Sequence, residues 1–193
     1  MATFSTTGGG LRSARLIAAG GAIRILLTPV VMALVIEGDA EVLATVLFAF
    51  AAATDWIDGR LARRWGVTTK LGSFLDTTAD KLLVSGVLIA LLAADRASAW
   101  IVALIIGREL LLMAVRGVIA SEGEVMAPSG LGRLKTTIQC LAIALAILRP
   151  GEPIGGWYLD EWAMLVAGAV TLVSAVDYLA RAIPLLLREG AEP

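Results

Sequence analysis

The sequence predicts an all-α integral membrane protein, a six-transmembrane-helix bundle with both termini in the cytoplasm. Three observations predict it. Hydrophobic residues make up 58% of the 193-residue chain, against roughly 45–50% in soluble domains, and the mean hydropathy is +0.84. Apolar stretches near the length that crosses a bilayer recur along the chain. Lysine and arginine gather on alternate connections between those stretches.

About twenty mainly apolar residues cross a bilayer as a helix. The expected spans are Leu16–Ile36, Glu41–Leu61, Leu71–Ala93, Ala97–Ala120, Leu131–Leu148 and Glu161–Leu187. The connectors carry turn residues, as in Glu37-Gly38-Asp39, Arg64-Trp65-Gly66 and Arg149-Pro150-Gly151. Strands are not expected, because lipid admits only helices or closed barrels and the apolar runs lack a two-residue alternation. Residues 1–15, rich in Ser, Thr and Gly, form a juxtamembrane segment. Arg12 and Arg15 there resemble the basic start of a secretory signal. Since hydrophobic spans continue to the end, a retained first helix is expected. Residues 16–187 form one domain and 188–193 a tail.

Orientation follows from the basic residues. One side collects Arg12, Arg15, Arg60, Arg63, Arg64, Lys70, Arg116, Arg133, Lys135 and Arg188. The other holds little beyond Arg96 and Arg149, with Glu37, Asp39, Glu41, Glu152, Asp160 and Glu161. The basic side is expected to be cytoplasmic, and Trp157 and Trp162 to sit in an interfacial belt at the other.

The formal net charge of -1 names no partner, and no nucleic acid is expected. Cys140 is the only cysteine, so no disulfide framework exists, and a buried, inert thiol is expected there. Histidine is absent. That excludes a histidine-bound zinc centre and leaves proton transfer to carboxylates, lysine or tyrosine.

Charges within spans are costly and normally face a wet, functional cavity. Asp55 and Asp58 lie near the inner end of the second span, Asp76 and Asp80 in the inner half of the third. Spacings of three and four place each pair on one helical face. A short basic loop joins the two spans, so the pairs can meet at one depth. Four carboxylates packed together repel, and one or two divalent cations resolve the conflict. All-oxygen donors suit Mg²⁺, Mn²⁺ or Ca²⁺, and Mg²⁺ commonly links a few carboxylates to substrate phosphates. Gly59 and Ala62 follow on the face of Asp55, where small residues admit either a flat ligand or a packed helix. Arg63 can offer a forked contact to a diphosphate or anchor the helix on the basic side.

The run DWIDGRLARRWGVTTKLGSFLDTTAD, Asp55 to Asp80, fits the pattern D-x2-D-G-x2-A-R-x8-G-x3-D-x3-D without a gap. It resembles the CDP-alcohol phosphotransferase family. The segments GSFLDTTADKLLV, IGRELLLMAVRG and GLGRLKTT extend the resemblance over roughly residues 20 to 180, toward the bacterial branch whose acceptor is glycerol 3-phosphate. Lys81, directly after Asp80, points to the same branch.

The resemblance implies transfer of a phosphatidyl group from CDP-diacylglycerol to sn-glycerol 3-phosphate, at the cytoplasmic side of the inner (plasma) membrane. It implies two divalent ions, Mg²⁺ or Mn²⁺, held by Asp55, Asp58, Asp76 and Asp80, with Asp80 also the general base. Gly59, Ala62, Arg63 and Thr69 would bind the CDP-lipid, and a homodimer is implied. The acceptor carries its own phosphate, so a second cation cluster is expected from Lys81, Arg108, Arg116 and Lys135. Two alternatives stay open: the same chemistry with an inositol phosphate or serine acceptor, and a divalent-cation channel or transporter, which would explain the carboxylates but not Gly59, Ala62 and Arg63.

Overall fold

The computed structural model describes residues 8–65, 70–121 and 130–188. Side-chain surroundings are described outside 1–19, 55–76, 122–131 and a few positions near the ends of α5 and α6. The helices are α1 (Gly8–Glu37), α2 (Glu41–Trp65), α3 (Lys70–Ala93), α4 (Ala99–Ser121), α5 (Gly130–Leu148) and α6 (Leu159–Arg188). Each expected span falls on one of them. α1 starts at Gly8 rather than near Leu16, because apolar content marks the part of a helix suited to lipid, not the end of its hydrogen-bond ladder.

Local chemistry sets several boundaries. Gly38, at φ 77°, closes α1 by donating its N–H to Leu34 O at 3.1 Å, the left-handed cap that glycine adopts without strain. At the start of α6, Glu161 reaches back to accept the Tyr158 N–H at 2.7 Å, while Asp160 and Glu161 place negative charge in the first turn. Ile154-Gly155-Gly156-Trp157 makes a tight turn with both glycines at positive φ, 63° and 85°. Ile154 and Trp157 exchange backbone hydrogen bonds across it, at 2.8 and 3.3 Å. This isolated bridge is the one extended pairing among the described residues. The Gly-Gly pair was its signal.

The chain divides into two compact units, 1–94 and 95–193. In the first, α1 packs against both α2 and α3. Its core is drawn from Val31 and Val35, Ala44, Phe48 and Ala51, and Leu83, Val87, Leu88 and Leu91, at the three- and four-residue steps of a buried helical stripe. Gly86 lets α1 and α3 approach closely: a Cβ there would lie 2.8 Å from Thr28 Cγ2 and 2.9 Å from Met32 Sδ.

In the second unit, α6 packs against α4 and α5. Its inward face is small or polar: Ala167, Thr171, Ser174, Ala175, Tyr178 and Ala182 are buried. Its outward face carries Val166, Leu172, Val173, Val176 and Ile183, between 49% and 61% exposed. On α4, Glu109 is buried while Leu110, Leu111 and Met113 are exposed. An outside more apolar than the inside suits lipid rather than water, since small and polar residues are what draw membrane helices together. Two helical segments among the described residues, Gly20–Glu37 and Leu159–Pro184, are long and apolar enough to cross a membrane. Cys140 is half-buried rather than buried.

Candidate active site

α2 carries Asp55 and Asp58 within its last three turns, together with Gly59, Ala62 and Arg63. α3 carries Asp76 in its first two turns and Asp80 one turn later. The side chains of Asp55, Asp58, Gly59, Ala62, Arg63 and Asp76 lie outside the described residues, as does Thr69. Among the described residues no group of three or more potential ligands gathers, and three of the four motif aspartates fall outside that set. The donors of the motif are all carboxylate oxygens, chemically suited to Mg²⁺ or Mn²⁺.

Asp80 is described. Its side chain is 28% exposed, and Oδ2 lies 3.2 Å from Lys81 Nζ. The carboxylate is open enough to meet a solute. Lys81, expected at the acceptor phosphate, contacts the carboxylate expected to act as base.

Just before the motif, Arg24 of α1 is fully buried, and its Nε–H donates to Thr54 Oγ1 at 3.4 Å. Thr54 in turn donates to Ala51 O at 2.7 Å and immediately precedes Asp55. An arginine without solvent is tolerated only where polar groups or charges meet it, so Arg24 ties α1 to the backbone turn where the aspartate motif begins. From the sequence, Arg24 is a charge inside the first span, of the kind that normally faces a wet, functional cavity, with no partner specified.

Within the second unit, α4, α5 and α6 assemble a buried charged layer. Arg108 Nη1 lies 2.9 Å from Glu109 Oε1. Lys135 Nζ of α5 contacts the same oxygen. Arg108 Nη2 donates to Ser174 Oγ of α6 at 3.1 Å. The side chains of Arg108, Glu109 and Lys135 are 10%, 8% and 4% exposed. Two cations thus meet at one carboxylate away from water. On the same helices Arg108 Nε, Gln139 Oε1, Thr171 Oγ1 and Tyr178 OH, with Asp160 Oδ1 at the start of α6, are buried without a hydrogen-bond partner. Buried cations beside unmet polar atoms can receive a small polar anion, which would be held by charge-assisted hydrogen bonds.

Arg108 and Lys135, expected together, are joined through Glu109. Arg116 lies farther along α4, exposed, its guanidinium 5.2 Å from the centre of the Tyr178 ring. Ser174 and Tyr178 are one turn apart on α6, so Arg108 and Arg116 lie along one α4–α6 seam. Gln139, Thr171, Ser174 and Tyr178 were missed, since each looks like an ordinary polar residue in an apolar helix. Asp177 and Arg181 form an ion pair four residues apart on α6.

A family model for the CDP-alcohol phosphatidyltransferase domain matches residues 21–173. A CDP-diacylglycerol–glycerol-3-phosphate 3-phosphatidyltransferase of Bacillus subtilis (strain 168) is 41% identical over 144 residues, covering 74% of this chain and 74% of its own length. One of the same name from Pseudomonas fluorescens is 38% identical over 178 residues, covering 87% and 90%. A third, from Pectobacterium atrosepticum, is 39% identical over 145 residues, covering 72% and 78%. With the motif on α2 and α3 and a match across most of its length, the chain belongs to the CDP-alcohol phosphatidyltransferase family.

Proposed function

We propose that this chain transfers the phosphatidyl group of CDP-diacylglycerol to sn-glycerol 3-phosphate, giving phosphatidylglycerophosphate and CMP. The observation that carries this reading is the aspartate motif, Asp55 to Asp80, divided between α2 and α3 inside a chain similar along most of its length to proteins named for that reaction.

Asp80 accepts the proton of the acceptor's primary hydroxyl as its oxygen attacks the phosphorus that bears diacylglycerol. The bond from that phosphorus to the CMP oxygen breaks, and CMP leaves. Its partial exposure and its place on α3 after Asp76 support this role. Asp55, Asp58 and Asp76, with Asp80, would hold two divalent ions, Mg²⁺ or Mn²⁺. Bound there, such ions neutralise the diphosphate and stabilise the departing CMP. Gly59 and Ala62 leave room for the cytidine, Arg63 holds the diphosphate, and Thr69 contacts the nucleotide. Lys81, Arg108, Arg116 and Lys135 bind the acceptor phosphate. The meeting of Arg108 and Lys135 at Glu109, beside the unmet Arg108 Nε, supports that assignment, because a phosphate monoester offers acceptors for such donors.

In this reading all six helices span the inner (plasma) membrane, with both termini and the site on the cytoplasmic side, and the protein works as a homodimer. The lipid-suited outward faces of α4 and α6 support the membrane placement. The test is an acceptor panel: purified protein with CDP-diacylglycerol, Mg²⁺ or Mn²⁺ and one candidate alcohol at a time, with CMP release measured. Release with glycerol 3-phosphate and background levels with serine or an inositol phosphate is the expected result. Comparable release with either of those would overturn the acceptor assignment. No nucleotide binding at all would return the channel reading.

A further inference from the structure

One turn beyond the buried cations of the second unit lies a further polar level that the proposed chemistry does not use. Arg149, just past α5, lies 3.3 Å from Asp160 at the start of α6, while Lys135 near the start of α5 and Ser174 of α6 both meet the Arg108–Glu109 pair. α5 and α6 are therefore antiparallel, and the step from Lys135 to Gln139 runs the same way as the step from Ser174 to Thr171. Each step stays on one helical face. They cover about 6 and 4.5 Å of helix, so Gln139 and Thr171 lie at nearly one level.

Both are buried and unmet. Gln139 is 3% exposed and Thr171 0%, and neither Gln139 Oε1 nor Thr171 Oγ1 has a hydrogen-bond partner. Thr28, Thr45 and Thr136 each donate to the carbonyl four residues back, the usual outlet for a helical threonine. Thr171 does not. The next turn is apolar. Arg96, just before α4, donates to Ile147 O in the last turn of α5 at 2.7 Å, so α4 also starts at that end, and Ile105, Ile143, Met164 and Ala167 there are 2% exposed or less. The polar atoms end at Gln139 and Thr171, and burying them unmet is costly.

The two atoms define the partner they take. An amide oxygen only accepts, while a hydroxyl both donates and accepts. An anion is refused by Gln139 Oε1, and an ammonium would sit one turn from Arg108 and Lys135 as a like charge. A neutral hydroxyl satisfies both: it donates to Gln139 Oε1 and accepts from Thr171 Oγ1–H. Glycerol 3-phosphate has one such hydroxyl to spare, since its primary hydroxyl attacks and its secondary hydroxyl does not react. We propose that Gln139 and Thr171 bind that secondary hydroxyl and make the chain specific for a phosphorylated alcohol carrying one between its phosphate and its reacting oxygen. The inference rests on the acceptor site proposed above.

The test compares glycerol 3-phosphate with 3-hydroxypropyl phosphate, which keeps the phosphate and the primary hydroxyl and lacks the secondary one. CMP release by the purified full chain, with CDP-diacylglycerol and Mg²⁺ or Mn²⁺, gives kcat/KM for each. The wild type is expected to favour glycerol 3-phosphate by about 10- to 100-fold, because the analogue leaves buried polar atoms unmet. Gln139→Leu and Thr171→Val each remove one of those atoms and lower the preference at least about fivefold, the loss falling on glycerol 3-phosphate. Thr171→Ser restores it. Thr171→Val, which keeps the shape of the side chain, decides the case where Gln139→Leu does not fold. Equal use of the two acceptors by the wild type, or an unchanged preference in Thr171→Val, overturns the proposal. No CMP release with either acceptor instead defeats the transferase reading, and this inference with it.

Discussion

Lys135 of α5 and Glu109 of α4 meet in direct contact with side chains only 4% and 8% exposed, and Arg108 takes the same carboxylate oxygen. A shared anion is therefore what keeps two buried cations together. Glu109→Gln removes it, and breaking a buried pair in this way costs about 3–5 kcal/mol. The expected outcome is an unfolding temperature lowered by about 6–20 °C at a fixed scan rate. The double variant Glu109→Gln, Lys135→Met removes one of the two cations as well and recovers part of the loss. An unchanged transition in Glu109→Gln would show that the carboxylate does not hold the layer.

Lys135→Ala separates acceptor binding from lipid binding. One charge-assisted contact to a phosphate is lost, so KM for glycerol 3-phosphate rises about tenfold. KM for CDP-diacylglycerol stays within about twofold. Steady-state kinetics varying each substrate in turn checks this, and equal rises in both constants count against an acceptor-specific role.

Asp80→Asn keeps the size of the side chain and removes the proton acceptor. Turnover falls by about 10²–10⁴, the usual contribution of a positioned base, while CDP-diacylglycerol binding, followed by equilibrium dialysis, is largely retained. Near wild-type turnover in the variant would remove Asp80 from that role.

The helices and the aspartate motif were legible in the sequence for one reason: both are written in local spacing. Apolar runs mark helices, and Asp55, Asp58, Asp76 and Asp80 announce themselves by intervals of three and four. What was not legible depends on contacts between distant segments. Ser174 meets Arg108 across 66 positions, and nothing in the run around Ser174 distinguishes it from a packing residue. Thr54 similarly acquires meaning only when Arg24 arrives from α1. The Ile154–Trp157 turn, by contrast, is written locally in its Gly-Gly pair, both residues at positive φ.

Gly86→Ala tests the α1–α3 seam. The added methyl would sit 2.8 Å from Thr28 Cγ2, and Thr28 is buried, β-branched and tied to Arg24 O at 2.8 Å. It has little room to rotate away. Overpacking of this kind costs about 1–3 kcal/mol, so the variant unfolds earlier, with Gly86→Leu worse than Gly86→Ala. Detergent-solubilised thermal scans of the three proteins give the order directly.

Arg24 is the residue where stability and activity can be told apart. Its side chain is fully buried and reaches Thr54, the neighbour of Asp55, at 3.4 Å. Removing one side of a buried charged contact costs about 3–5 kcal/mol, so Arg24→Met is expected to lower the unfolding temperature. Turnover of the fraction that stays folded also falls at least about tenfold, because the turn carrying Asp55 loses its tether to α1 and small misplacements at a reacting centre are costly. Arg24→Lys keeps the charge but not the planar fork and regains only part of the rate. If Arg24→Met unfolds early and its surviving folded fraction turns over normally, Arg24 serves the fold alone.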